Sequence, residues 1–237
     1  MTSTRKKTRL FFIAGTDTDV GKTHCAVALL NKFNQSDCKT LALKPIASGC
    51  ENTAEGLRNS DALALQKNSS IKVHYEEINP IAFEPAIAPH IAAKLANKRI
   101  TVRQLEGLCK GIMTLTRPDI LLIEGAGGWR CPVNDTETLA DLAIALQAEV
   151  ILVVGMRLGC INHAVLSAEA IERDGLKLAG WIANCVTPNM PYVDENIQSI
   201  TLSLNAPLLG VIPFSQSTHN RDADFLNLQP LNLINPK

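Results

Sequence analysis

The stretch Leu10-Phe11-Phe12-Ile13-Ala14-Gly15-Thr16-Asp17-Thr18-Asp19-Val20-Gly21-Lys22-Thr23 decides the fold, together with the run Ala26-Val27-Ala28-Leu29-Leu30 that follows it. An apolar run of strand length leads into a glycine-bearing loop ending in Gly-Lys-Thr, and a helical apolar pattern comes next. That order is a P-loop. Backbone N–H groups of such a loop and of the helix start point into one concavity, where anionic oxygens replace missing intrahelical partners. Lys22 is placed to reach the outer phosphates, and the Thr23 hydroxyl to ligate Mg²⁺. Five residues separate Gly15 from Gly21, one more than usual, so Thr16 stands where the first glycine is expected. The strand before and the helix after distinguish the motif from an accidental Gly-Lys-Thr.

Outward from the loop, the chain keeps alternating. Thr40-Leu41-Ala42-Leu43 is a short strand ending at Lys44-Pro45, and Pro45 stops ladder pairing there. A polar stretch from Ser48 to Ser60 is long for a routine connection. Ser60 is expected to cap a helix through Asp61–Leu65. Residues 71–90, with Pro80, Pro85 and Pro89, read as irregular or edge structure. Thr101 and Gln104 suit a capping box for a helix whose Val102, Leu105, Cys109 and Ile112 share one buried face. Asp119–Ile123 is a continuous apolar strand ending in Glu124-Gly125-Ala126-Gly127-Gly128. Further helices are expected at Leu139–Leu146, 161–173 (closed by Gly175) and around 193–204, and further strands at 150–154, 178–183 and 208–212. Strands alternating with helices predict one α/β domain over 1–237, a mostly parallel sheet with helices on both faces, of the P-loop NTPase type.

Composition narrows the partners. The chain has 237 residues, 46% hydrophobic, and 23 basic against 23 acidic side chains. A net charge near zero lacks the basic footprint of a nucleic-acid surface. The basic cluster Arg5-Lys6-Lys7 with Arg9 has no signal-peptide apolar region behind it, and no stretch approaches a membrane span. The seven cysteines are scattered with no C-x-x-C, which argues against disulfide or zinc frameworks and for a reducing cytoplasm.

Ligands of open α/β sheets lie beyond the carboxyl ends of the strands. The P-loop, Lys44, Glu124 and Asn184 meet there. Glu124 directly follows its strand, where P-loop enzymes present a carboxylate to the metal, and the glycines after it permit close backbone approach to a ligand. From position alone, Lys44 reads as a surface lysine, Asp61 as a helix-dipole partner and His24 as a structural helix residue. The turn Gly159-Cys160-Ile161-Asn162 opens a helix whose free N–H groups could hold a carboxylate, though from position alone an ordinary helix start is the stronger reading.

Taken together, these segments resemble the dethiobiotin synthetases along nearly the whole chain. The matching pieces are 15–23, Lys44-Pro45-Ile46-Ala47-Ser48-Gly49, Leu57–Ala62, Glu124–Trp129, Leu158–His163 and Ala206–Gly210. The resemblance implies ATP-dependent joining of CO₂ to 7,8-diaminononanoate with closure of a cyclic urea. It implies catalytic roles for Lys22, Lys44, Thr18 and Ser48, and Mg²⁺ among Thr23, Asp61 and Glu124. Nucleotide contacts are implied at Asp19, Val20, Gly21, Lys22, Thr23, His24, Asp61, Glu124, Gly125, Ala126, Gly127, Asn184, Cys185, Pro213 and Phe214. Substrate contacts are implied at Lys44, Ser48, Gly159, Cys160 and Asn162, the last three supplied by the other subunit of a homodimer. Asp19 stands where many relatives have Glu, Cys185 where they often have Asp, and Phe214 where Trp is frequent. Two other readings share the P-loop: an amide-forming ligase of the cobyrinate diamide synthetase type, and a ParA/MinD-like nucleotide switch. The first needs a separate ammonia source. The second usually carries an additional lysine early in the loop, and positions 16–20 have none.

Overall fold

The structure, a computed structural model, describes residues 7–215 and 220–232; Arg5 and Lys6 of the basic cluster lie outside them. In chain order the elements are β1 (Arg9–Gly15), α1 (Lys22–Asn34), β2 (Thr40–Leu43), β3 (Ile46–Ala47), β4 (Glu51–Thr53), β5 (Gly56–Arg58), α2 (Ser60–Asn68), α3 (Tyr75–Ile78), β6 (Ile81–Ala82) and α4 (Pro89–Leu95). Then follow α5 (Val102–Thr116), β7 (Ile120–Glu124), α6 (Leu139–Ala145), β8 (Glu149–Met156), α7 (Cys160–Arg173), β9 (Leu178–Cys185), α8 (Val193–Ser203) and β10 (Leu208–Ile212). Two 3-10 segments, Asn220–Phe225 and Gln229–Leu231, close the chain.

Six strands form the main sheet in the order β10-β9-β8-β1-β7-β2, and every pairing in it is parallel. Alternation along β1 shows how the layers arise. Phe11 and Ile13 pack with α1 residues such as Leu29 and Leu30 on one face. Phe12 and Ala14 join α5, α6 and α7 on the other. Strands buried on both faces need continuous apolar runs, and Val150–Val154 are each 0% exposed. Each such aliphatic side chain contributes roughly 1.5–3 kcal/mol by leaving water.

β1 lies between β7 and β8, and its onward connection to β2 runs toward the β7 side. That reversal of winding opens a crevice at the carboxyl end of β1, where the glycine-bearing loop sits.

Three local details differ from the sequence reading. Asn59, not Ser60, caps α2: its side chain accepts the Ala62 N–H at 3.2 Å, and Ser60 is already helical. The polar stretch after Ser48 is partly ordered as the β4–β5 hairpin. The proline-rich region contains the short α3 and, starting at Pro89, the helix α4; proline at the first helical position gives up no intrahelical bond. The capping Thr101 does accept the Gln104 N–H (3.2 Å), and the face formed by Val102, Leu105, Cys109 and Ile112 is buried.

Candidate active site

The loop between β1 and α1 is shaped by two left-handed residues, Asp19 (φ 56°) and Gly21 (φ 82°). Gly21 has no alternative: a Cβ there would lie 2.1 Å from Asn184 Nδ2. Asn184, near the end of β9, is buried and donates from Nδ2 to the Val20 carbonyl (2.9 Å). Val20 is 1% exposed and fits against Gly15 and Gly155, so its side chain anchors the loop from beneath. Above it, Lys22 is buried and its Nζ donates to the carbonyls of Asp17 (3.0 Å) and Gly127 (2.7 Å). Burial pushes the Lys22 ammonium below its usual range, and neighbouring Lys44 adds to this against the opposing pull of Glu124 and Asp61.

Lys44 is not the surface group its position suggested. It is 5% exposed, because the Ile78 carbonyl accepts its backbone N–H and its own carbonyl accepts from buried Asn79. Its Nζ lies 2.5 Å from Glu124 Oε1 and 2.7 Å from Asp61 Oδ2. Burial alone would depress Lys44, but the two carboxylates outweigh it and hold the ammonium above its ordinary range. Asp61 shows the converse: burial would raise its carboxyl, yet the Lys44 ammonium, bonded to it, holds it below the usual carboxylate value.

Thr23 Oγ1 donates to Glu124 Oε1 at 2.8 Å. The second carboxylate oxygen, Glu124 Oε2, is buried with no protein hydrogen-bond partner. A buried anionic oxygen beside a threonine hydroxyl and a second carboxylate suits Mg²⁺, which keeps several waters and takes few protein ligands besides phosphate. Among the described residues no three His, Cys, Asp or Glu side chains form a protein-only cage.

These groups border a cavity of about 800 Å³. Of the sequence-derived candidates, Thr18, Asp19, Gly21, Lys22, Thr23, His24, Lys44, Ser48, Asp61, Glu124, Ala126 and Gly127 line it. Ser48 Oγ is buried there without a protein partner, available to a ligand. His24 is likewise more than a helix spacer, since it faces the cavity and its Nε2 lies 2.9 Å from Asp222.

Other candidates stand apart. Gly125 packs against the Phe12 ring, and its N–H donates to Ile13. Cys185 ends β9, half-buried, while Pro213 and Phe214 follow β10 and are exposed. Gly159 and Asn162 are exposed at the start of α7, outside the cavity of their own chain. At this turn the Cys160 N–H is not free for a ligand. It already donates to the Arg157 carbonyl (3.0 Å), and the buried Cys160 thiol faces Asn196.

The sequence reading missed the wall formed by Ala86, Ile87, Ala88 and Pro89, and missed Cys131. Pro89 at a helix start was the available signal for the first. Cys131 gave none, because only folding brings it beside Gly127.

A parallel sheet with this loop at its central strand defines the P-loop NTPase type of α/β protein. A family model described as an AAA domain matches residues 9–222. The fold is similar to that of the septum site-determining protein MinD complexed with Mg-ADP from Pyrococcus horikoshii, with TM-score 0.54, 16% identity, and coverage of 94% of this chain and 88% of that one. Sequence relatives are far nearer. The chain is 51% identical to the ATP-dependent dethiobiotin synthetase of Cellvibrio japonicus, over 94% of this chain and 97% of the relative. It is 46% identical to that of Vibrio campbellii, over 93% and 97%. The chain belongs to the ATP-dependent dethiobiotin synthetase family, a family of ligases.

Proposed function

We propose that this enzyme carboxylates 7,8-diaminononanoate with CO₂ and closes the cyclic urea of dethiobiotin, with ATP passing to ADP and phosphate. The observation that carries the reading is Lys44, buried in the phosphate cavity between Glu124 and Asp61. One amine adds to CO₂ and loses a proton, leaving a carbamate. A carbamate oxygen attacks the γ-phosphorus and ADP departs. The second amine then attacks the carbonyl of the carbamic–phosphoric anhydride, and phosphate leaves with loss of the amine proton. Negative charge accumulates on the carbamate and the moving phosphoryl group, so positioning and fixed cations supply most of the catalysis.

Lys22 stabilises the outer phosphates once they replace the carbonyls it now caps. Lys44 exchanges its carboxylate partners for the carbamate and γ-phosphate. Thr18 and Ser48 hydrogen-bond phosphate and substrate. Thr23, Asp61 and Glu124 hold Mg²⁺, which when bound neutralises charge on the phosphate oxygens. The nucleoside end extends toward Asn184, Cys185, Pro213 and Phe214.

The substrate carboxylate is gripped by Asn162 and the Gly159 turn of a second subunit, so a homodimer completes each site. That these residues sit exposed outside their own chain's cavity supports the dimer. The chain acts as a single domain in the cytoplasm, a compartment suited to seven free cysteines.

The test is mass detection of labelled dethiobiotin from purified protein, the diamine, Mg-ATP and labelled bicarbonate. Equal ATP hydrolysis with and without the diamine would instead favour a nucleotide switch, and ammonia-dependent amide formation would favour the cobyrinate-type ligase. The MinD likeness is one of fold alone.

A further inference from the structure

We propose that Asp222 is a positioning residue of the nucleotide site: it holds His24 against the ribose and α-phosphate of the bound nucleotide. The inference rests on the ATP-binding part of the reading above, and it starts from a cost. Asp222 is 4% exposed, and a carboxylate so far out of water needs charged or N–H partners. His24 Nε2 stands 2.9 Å from Asp222 Oδ2, at ion-pair distance though not aligned for a hydrogen bond. At that distance the carboxylate restricts how the His24 ring can turn and leaves its Nδ1 edge as the one to meet a ligand. His24 follows Thr23 directly in the first turn of α1 and lines the phosphate cavity.

Asp222 is itself rigidly placed. Its 3-10 segment packs on β10, where Gly210 lets the chain approach so closely that a Cβ would lie 2.2 Å from the Phe225 carbonyl. Asn227 N–H donates to Leu209 (2.7 Å), Gly210 bridges to Leu226, and Ala223 and Leu226 are buried. The carboxylate therefore stands on a fixed platform across from α1.

Strand order says which end of the nucleotide His24 meets. Lys44 and Glu124 lie on the β7–β2 side of the loop, which assigns the γ-phosphate and metal to that side. Asn184 and the Asp222 segment belong to the β9–β10 side. A nucleotide spanning the loop runs from one to the other, so a side chain turned toward Asp222 meets its nucleoside half.

The experiment is calorimetric titration of Mg-ADP, with Mg-pyrophosphate as the probe lacking a nucleoside, into wild-type protein and the variants D222N, H24N, the double variant and D224N. Asp224 is exposed on the same segment and serves as the control. Losing the contact that orients His24 predicts about three- to tenfold weaker Mg-ADP binding for D222N and for H24N. The double variant should be no worse than H24N, while pyrophosphate binding in all and Mg-ADP binding in D224N stay as in wild type. A D222N protein that melts earlier yet binds Mg-ADP normally would make the pair structural and overturn the proposal. Additive losses would overturn it too, since Asp222 would then not act through His24. Because binding is read without turnover, a chain that made no dethiobiotin but showed this pattern would fail the catalytic reading and keep this one.

Discussion

Lys44 Nζ sits 2.5 Å from Glu124 Oε1, across 80 residues of sequence, inside the cavity that the glycine loop opens. The same carboxylate accepts from Thr23 and leaves its other oxygen without a protein partner. The acids proposed to hold a divalent cation are thus the acids that hold Lys44 when no ligand is present. Arrival of Mg-nucleotide would weaken their pull on the ammonium and free it for a second anion. This relationship makes the following outcomes expected.

Lys44→Gln should lower turnover by about a hundredfold or more, the scale for losing a fixed cation at developing charge. Glutamine retains an N–H donor for Glu124, so the far-UV circular dichroism spectrum should stay that of the wild type. Steady-state assay with the diamine, bicarbonate and Mg-ATP reads the effect. Near-normal activity would remove Lys44 from the mechanism.

The ion pair also sets a pH dependence. Asp61 has a folded-state pKa below its unfolded value of about 3.9, so its contribution to stability is present above that pH and fades as pH falls through the folded value. Lys44 is shifted upward, so its contribution is whole below about pH 10.4 and is lost as pH rises through its folded value. In Lys44→Gln the Asp61 carboxyl should titrate at higher pH, observable by carbon-13 NMR of the side chain. An unmoved midpoint would show that something other than Lys44 holds Asp61 ionised.

Gly21→Ala should destabilise the ligand-free protein by about 1–3 kcal/mol and weaken Mg-ADP binding, because the new Cβ meets Asn184 in a left-handed conformation. Adding Asn184→Ala should recover only part of the loss. It relieves the collision but not the backbone strain, and it removes the bond that anchors Val20. Chemical denaturation of the single and double variants checks this, and full recovery would assign the whole cost to the collision.

The sheet and the loop were legible in the sequence because both are local: apolar runs of strand length, and a motif whose glycine, lysine and threonine are contiguous. Glu124 was legible for the same reason, standing at the end of such a run. Lys44 was misjudged from position alone, and its link to Asp61 was not visible there, because its burial and that ion pair rest on contacts that only the folded chain makes. The Asn59 cap was missed by one residue, since Asn and Ser are both good caps and nothing local chooses between neighbours. Asp222 was invisible: its partner lies nearly two hundred positions away, and a lone aspartate near a chain end reads as solvated.

The proposed completion of each site by a second subunit has a test that mixing alone can perform. Asn162→Ala alone should raise the substrate KM more than it weakens ATP binding, and Lys44→Gln alone should be nearly inactive. Suppose the two proteins are unfolded together and refolded in equal amounts. About half of the resulting dimers carry one chain of each kind, and in each of these one site unites an intact Lys44 with an intact Asn162. At substrate concentrations that leave the Asn162→Ala sites mostly empty, activity should return to about a quarter of the wild-type value, well above either parent. If Asn162 instead served the cavity of its own chain, no mixed dimer would hold an intact site. The mixture would then show only the average of its parents, and the dimeric site would have to be abandoned.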